Sequence, residues 1–300
     1  MGTLGANRSE KIRSSERSRS SGLRPSHLQD ALRRKGGSTL LAMALGRLCN
    51  LWIHGGLPHD HSPIWSGARL IPLRKKDDGV RPVAVGETLR RLVGKVLLST
   101  KSCKAEVRTL APAQVGVGIP AAAESVVMGI QATVDHLGST SAWILLKIDM
   151  ANAFNCVSRE HFLKTAQQRT PTAYNYLHYA YTSAAPLYVG DTIIESRQGT
   201  HQGCPLGLLG FALGIQDIVE DLQKNAGLIW SGWYLDDGIL IGSSSNVAHN
   251  FRTVADALRE RGLTINNRKC EVWGPGASDF AGVHTEVRVI PWDHTAHMTV

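Results

Sequence analysis

The sequence predicts an α+β fold. Segments of helical period are mixed with runs of β-branched and aromatic residues, and several of those runs are joined in pairs by short polar turns, as antiparallel strands are. No internal repeat accompanies them. Three hundred residues, 43% hydrophobic and 19% charged, suffice for one large or two moderate domains.

The elements follow in order. Residues 1–24 are Arg- and Ser-rich without apolar periodicity and predict disorder. A short helix starts at Pro25 and stops at Gly36-Gly37; a second covers 38–54, with Leu41, Leu45, Leu48 and Trp52 on one stripe. "ARLIPLRKKDDGVRPVAV" (68–85) reads as strand, turn at Asp78-Gly79, strand. "ETLRRLVGKVLLS" (87–99) is an amphipathic helix with Leu89, Leu92, Val93 and Val96 inward. After an Ala/Gly/Pro-rich loop, a helix near 123–137 leads to the strand "WILLKIDM" (143–150). Helices near 158–169 and 172–184 precede a hairpin turning at Gly190-Asp191. "GCPLGLLGFALGIQDIVEDLQ" opens as a loop and continues as a helix. A hairpin around 229–242, a helix near 246–261 and a strand over 263–273 complete the series.

The formal charge of +8 and pI of about 9.4 favour an acidic partner such as nucleic acid. Residues 1–36 hold nine Lys/Arg against Glu10, Glu16 and Asp30, so most of that charge sits in the first eighth of the chain. Five scattered cysteines without a C-x-x-C pair suggest neither a disulfide framework nor a zinc site and fit a reducing, intracellular setting, nucleus or cytoplasm. The Arg/Ser-rich start leaves an organelle address open, with Glu10 and Glu16 against it. The longest apolar window, "TLLAMALGRLCNLWI", is interrupted by Gly46 and Arg47 and falls short of the roughly 20 residues of a membrane span, so no membrane partner is expected.

The chemistry concentrates in "SGWYLDDGILIG" (231–242), where Asp236 and Asp237 stand side by side in a strand-like run. A hairpin turn at Asp237-Gly238 explains one acid but not the second. Like charges beside a core are costly without a cation. Asp149, at the end of an apolar strand 87 residues earlier, is a second acid out of place; a helix cap is the alternative for it. Acids from two strands could hold two divalent ions roughly 3.5–4 Å apart for in-line phosphoryl transfer. Hard oxygen donors suit Mg²⁺, with Mn²⁺ as a substitute. The twelve histidines form no ligand set, and no Walker-type loop is present.

With these stretches in hand, the chain resembles reverse transcriptases of the non-LTR (LINE-like) retrotransposon type. The blocks that carry the likeness occur in order: "ARLIPLRKKDDGVRPVAVGETLRRLVGKVLLS", "LLKIDMANAFNCVSRE", "RQGTHQGCPLGLLGFALGIQ", "GWYLDDGILIG" and "GLTINNRKCEVWG", spanning about residues 68–274. The resemblance implies a right-hand polymerase: a basic flexible arm over 1–36, a fingers-like region over 37–140, and a palm over 141–300 whose antiparallel sheet carries the acids. The chain ends at Val300 about where the family's primer-grip hairpin begins, so fingers and palm without a thumb are expected.

By the same resemblance Asp149 and Asp236 are the catalytic metal pair, the Met150 carbonyl a further ligand and Asp237 an auxiliary carboxylate. Phe154 matches the steric gate against a ribose 2′-OH; a core aromatic is its alternative. Arg81, with Lys75 and Lys76, matches residues that clamp the incoming triphosphate, for which a guanidinium fork is suited. Gln198 and Gln202 match nucleotide contacts, and Gly199 and Gly203 positions of close backbone approach. Lys269 matches a lysine that protonates departing pyrophosphate; a surface lysine after a turn is its alternative. Cys204, Leu208 and Gly210 depart from the family's pattern. The implied activity is RNA-directed DNA synthesis on an RNA template and DNA primer from deoxynucleoside triphosphates, serving retrotransposition. Two other readings stay open, a non-catalytic nucleic-acid-binding remnant of such an element and an RNA-dependent RNA polymerase. The oligomeric state is not readable.

Overall fold

The computed structural model describes residues 21–33, 38–74, 79–138, 142–225 and 227–292. In chain order its elements are α1 (Pro25–Arg33), α2 (Ser38–Ile53), α3 (Ser62–Ser66), β1 (Ala68–Arg74), β2 (Val80–Gly86), α4 (Thr88–Ser99), α5 (Lys101–Arg108) and α6 (Ala122–Leu137). Then come β3 (Trp143–Ile148), α7 (Ala153–Cys156), α8 (Arg159–Arg169), α9 (Pro171–Tyr181), β4 (Ala185–Val189) and β5 (Thr192–Ser196). The last are α10 (Gly207–Asn225), β6 (Trp230–Tyr234), β7 (Asp237–Ser243), α11 (Ser244–Glu260), β8 (Glu271–Trp273), α12 (Ala277–Val283) and β9 (Arg288–Val289). The helices and two sheets make a mixed α+β architecture, as the sequence predicts. No helix among the described residues is long and apolar enough to cross a membrane.

Two compact units result. The first takes the described residues of Met1–Cys103 with Pro171–Gly207. Its four-stranded sheet has the order β2-β1-β4-β5 and is built from the two predicted hairpins, joined through the parallel β1–β4 pair. The core centres on Trp52, 1% exposed, stacked on Tyr176 with centroids 5.8 Å apart and met edge-on by Trp65 and Tyr179. Ser21 Oγ donates to Glu87 and Thr88 Oγ1 to the Leu23 carbonyl, so the chain just before α1 is tied to the start of α4.

Helix α4 is present, but its inner stripe is rotated from the predicted one. Arg90, Val93, Gly94 and Leu97 are buried, while Val96 is 37% exposed. Gly94 is the cause: a Cβ there would lie 3.0 Å from the Tyr176 hydroxyl, so only this face lets α9 approach. Arg90 is held inside by Nη1, which donates to the Ser66 carbonyl at 2.8 Å, and by the Tyr181 ring, whose centroid lies 5.5 Å from the guanidinium; its Nε and Nη2 meet no hydrogen-bond partner among the described residues.

The second unit comprises the described residues of Lys104–Thr170 and Leu208–Val300. Its sheet has the order β6-β7-β3-β8-β9, antiparallel except for the short β8–β9 pair. One face packs Trp143, Leu145, Ile241 and Trp273 against Val126, Ile130 and Val134 of α6, with Ile290 and Trp292 completing the layer. Helices α5 and α12 were not predicted, and the expected strand over 263–273 is broken. Only Ile265 bridges to Met150 before a 3-10 turn at Asn267–Lys269, and β8 covers three residues. The break arises because Asn266 N–H donates to the Asp149 carbonyl while Cys270 N–H returns to Asn266, closing a turn inside the apolar run.

Candidate active site

Strand β3 is central in its sheet, with five of its six residues buried, which explains its continuous apolar run. Its ladder with β7 ends at Ile148↔Gly238. Asp149 follows that pair on one strand and Asp237 precedes it on the other, so the two acids stand at the same end of adjacent strands. Asp236 occupies the tight connection Leu235-Asp236, closed by the Tyr234↔Asp237 pair. Asp149 and Asp236 are half-buried and Asp237 is exposed.

The turn therefore lies two residues before the Asp-Gly signal. Gly238 serves a different purpose from the one its dipeptide predicts. A Cβ there would sit 2.5–2.7 Å from the six-membered ring of fully buried Trp233, so glycine is what lets the indole lie across β7.

Asp149 is held by its backbone. Its carbonyl accepts from Asn266 N–H at 2.8 Å, and its own N–H donates to Cys270 Sγ at 3.4 Å. Burial pushes the Cys270 thiol up to about 11, with the neighbouring Asp149 and Glu271 charges adding to it and a hydrogen bond from the Asp149 backbone opposing. The thiol is neutral at pH 7 and adds no charge beside the acids. Met150 is buried and bridged to Ile265. Lys269 is exposed on the 3-10 turn that Asn266 anchors to Asp149. Phe154, on the short α7, is half-buried with its ring 4.7 Å from that of Phe211.

The remaining candidates lie in the first unit. Arg81 is exposed on β2, opposite Leu73; Lys75 and Lys76 lie outside the described residues. Gln198 is exposed and Gln202 half-buried, in the loop between β5 and α10. Gly203 approaches β2 so closely that a Cβ would meet the Ala84 carbonyl oxygen at 2.2 Å. Its near neighbour His201 is buried, its Nδ1 3.5 Å from Arg90 Nη1.

Two residues near the acids were missed from the sequence. Gln114, in "APAQVGVGIP", is fully buried and bonds the Leu235 backbone; the signal was one amide in an otherwise apolar loop. Lys147 breaks the apolar run of β3 and lines a groove of about 160 Å³ with Val126, Tyr234, Asp237 and Ile239.

The donor set can be tested for fit to a metal. Carboxylates at one strand end, with the Met150 carbonyl next in the chain, are the hard oxygens that Mg²⁺ takes. Among the described residues no three or more His, Cys, Asp or Glu side chains are grouped to hold an ion. The chemistry of these donors fits Mg²⁺, which binds through few carboxylates and keeps several waters of its own.

No curated protein compared with the chain matches it. Among solved structures, similar folds include a Candida albicans telomerase in complex with a fragment of telomeric RNA (TM-score 0.52, 15% identity, 75% of this chain and 45% of that one). Two apo telomerases from Candida tropicalis are also similar, one truncated from its C-terminal domain (TM-score 0.52, 11% identity, 69% and 50%) and one not so described (TM-score 0.51, 10% identity, 77% and 49%). The chain spans half or less of the length of these proteins. At such identities the likeness is one of fold, the fingers-and-palm type. Residues 73–285 match the reverse transcriptase (RNA-dependent DNA polymerase) family, and the match covers more than half of the chain. With five ordered sequence blocks and acids at one end of the central strands, the chain belongs to the reverse transcriptase family.

Proposed function

We propose that this chain catalyses RNA-templated DNA synthesis, adding deoxynucleotides to a DNA primer 3′-OH, and that it derives from a non-LTR retrotransposon. The observation that carries the reading is the β3–β7 register, in which Asp149 and the Asp236-Asp237 pair share one end of two central strands. The five blocks in LINE-like order support the origin. Divalent ions bound here would supply activation of the attacking hydroxyl and neutralisation of the triphosphate. Asp149 and Asp236 hold those ions, with the Met150 carbonyl and Asp237 as lesser contributors. Phe154 meets the sugar where a 2′-OH would project. Arg81 offers a fork suited to phosphate, and Lys269 a proton for pyrophosphate.

The test is primer extension on an RNA template with Mg²⁺, comparing deoxynucleotides with ribonucleotides. DNA product that disappears with Asp236→Asn supports the reading. Extension with ribonucleotides alone assigns an RNA polymerase, and no extension under any pairing returns the chain to a nucleic-acid-binding role.

A further inference from the structure

Leu235 is the first residue of the connection that carries Asp236, and its φ is +57°. That left-handed region is unfavourable for any residue with a side chain, and Leu has no polar atom to compensate locally. Such a conformation persists only where surrounding structure over-determines it. Here one side chain bonds both backbone polar groups of that residue. Gln114, 0% exposed, donates from Nε2 to the Leu235 carbonyl at 3.2 Å and accepts through Oε1 from the Leu235 N–H at 2.8 Å. The same Oε1 accepts from the Gly116 N–H at 3.0 Å. The amide orientation is unambiguous, since two N–H groups face the oxygen and a carbonyl faces the nitrogen.

The loop bearing Gln114 is itself seated on the hairpin. Gln114 bridges in parallel to Trp233, and Val115 N–H donates to the Trp233 carbonyl at 2.9 Å. Gly116 has no room for a side chain, because a Cβ would lie 2.6 Å from Leu235 Cγ and 2.7 Å from Leu235 N. Both amide groups of Leu235 are thus met by a residue 121 positions away.

We propose that Gln114 is a positioning residue of the active site: by bonding both sides of Leu235 it holds the left-handed turn and so sets the direction from which Asp236 reaches the metal. The inference rests on the proposed metal-dependent function for its consequence, not for its geometry. Partners that orient a ligating residue typically matter about 10- to 100-fold in metal affinity. Glycine at 235 would adopt the turn without the brace.

The experiment uses the full chain. Mn²⁺ binding is followed by the electron paramagnetic resonance of the free ion, and hydrogen exchange is followed in the segments 113–117 and 232–238. Gln114→Ala should speed exchange in both segments about tenfold or more, leave 239–242 protected, and weaken Mn²⁺ binding about 10- to 100-fold. On a Leu235→Gly background the same substitution should weaken Mn²⁺ binding less than about 3-fold, the coupling expected of a shared element. A general loss of structure would not spare the glycine background. If Gln114→Ala does not fold, Gln114→Met, similar in volume, carries the same comparison.

Unchanged exchange in 232–238 overturns the proposal, as does an equal loss of Mn²⁺ binding on both backgrounds, or faster exchange with unaltered Mn²⁺ affinity. Equal Mn²⁺ binding by the wild type and Asp236→Asn would instead overturn the metal-site reading, while the exchange measurement still decides whether Gln114 holds the turn.

Discussion

Ile148 of β3 faces Gly238 of β7 as the last pair of the ladder that starts at Trp143↔Ser243. Two segments far apart in sequence are thereby brought level, and the acids that flank this pair collect at one strand end. Strand pairing is set by apolar matching over the whole length, Leu145 with Ile241 and Leu146 with Leu240, so the acids need no mutual attraction to meet. Their repulsion is instead carried by burial elsewhere.

Replacing Asp149 or Asp236 with Asn should therefore lower polymerisation by roughly 10³-fold or more, the scale of losing a principal electrostatic group. The melting temperature should stay level or rise, because one of several like charges is removed. Single-nucleotide insertion and thermal unfolding read these two effects. Asp237→Asn, at the most exposed of the three acids, should cost less than either; equal loss would contradict the auxiliary role proposed for it.

The Phe154 ring lies 4.7 Å from that of Phe211, tilted 40° to it, and the side chain is half-buried. Phe154→Val keeps an apolar contact and removes the ring, at a stability cost of about 1–2 kcal/mol. If the ring meets the sugar, the ratio of ribonucleotide to deoxyribonucleotide insertion should rise at least tenfold, because a steric clash is a repulsive selector. An unchanged ratio with the stability loss alone would make Phe154 a packing residue.

Two glycine-to-alanine substitutions should have opposite signs. At Gly203 the new Cβ would overlap the Ala84 carbonyl oxygen at 2.2 Å and crowd the Val85 Cα at 3.1 Å, both backbone atoms that cannot rotate away. Such overpacking costs about 1–3 kcal/mol. At Gly46, inside α2, nothing lies within 4 Å of the Cβ, so alanine should add about 0.5–1 kcal/mol. Denaturant unfolding of both variants checks the pair.

Acid should weaken the second unit through Glu220. Arg169 Nη1 and Nη2 engage its two oxygens at 3.0 and 2.7 Å, and Gln216 Nε2 donates at 2.9 Å. Burial acts to raise this carboxyl, but the Arg169 and Gln216 hydrogen bonds and the nearby cations hold it below its ordinary range. A depressed carboxyl stabilises the fold above its unfolded pKa and loses that contribution as pH falls through the folded one. Unfolding from pH 7 to pH 3 should show the wild type losing more stability than Glu220→Gln. At neutral pH the variant should be lower by about 1 kcal/mol, since the Arg169 side chain is 38% exposed and solvent screens the pair.

Much of this protein is legible along the chain because the relevant physics is short-ranged. The hairpins β1–β2 and β4–β5, the strand β3 and the helices α2, α6, α10 and α11 follow from apolar period and turn residues within about ten positions. The acids are legible for a related reason: Asp149 and the Asp236-Asp237 pair break apolar runs that a core would complete.

What required the tertiary structure depends on partners distant in the chain. Local rules put the turn at Asp237-Gly238, since no short-range rule places a leucine in the left-handed region. The bonds that make it tenable come from Gln114, and the ring that requires Gly238 inside the strand is that of Trp233. The run 263–273 has strand composition, yet the Asp149 backbone captures Asn266 and closes a turn in it. Arg90 reads as the solvated side of α4 until the Ser66 carbonyl and the Tyr181 ring receive it. Composition and period decide which segments become strands and helices. Where a polar group must be satisfied inside the fold, the choice of conformation passes to whichever distant group can meet it, because an unmet buried donor or acceptor costs more than a local preference.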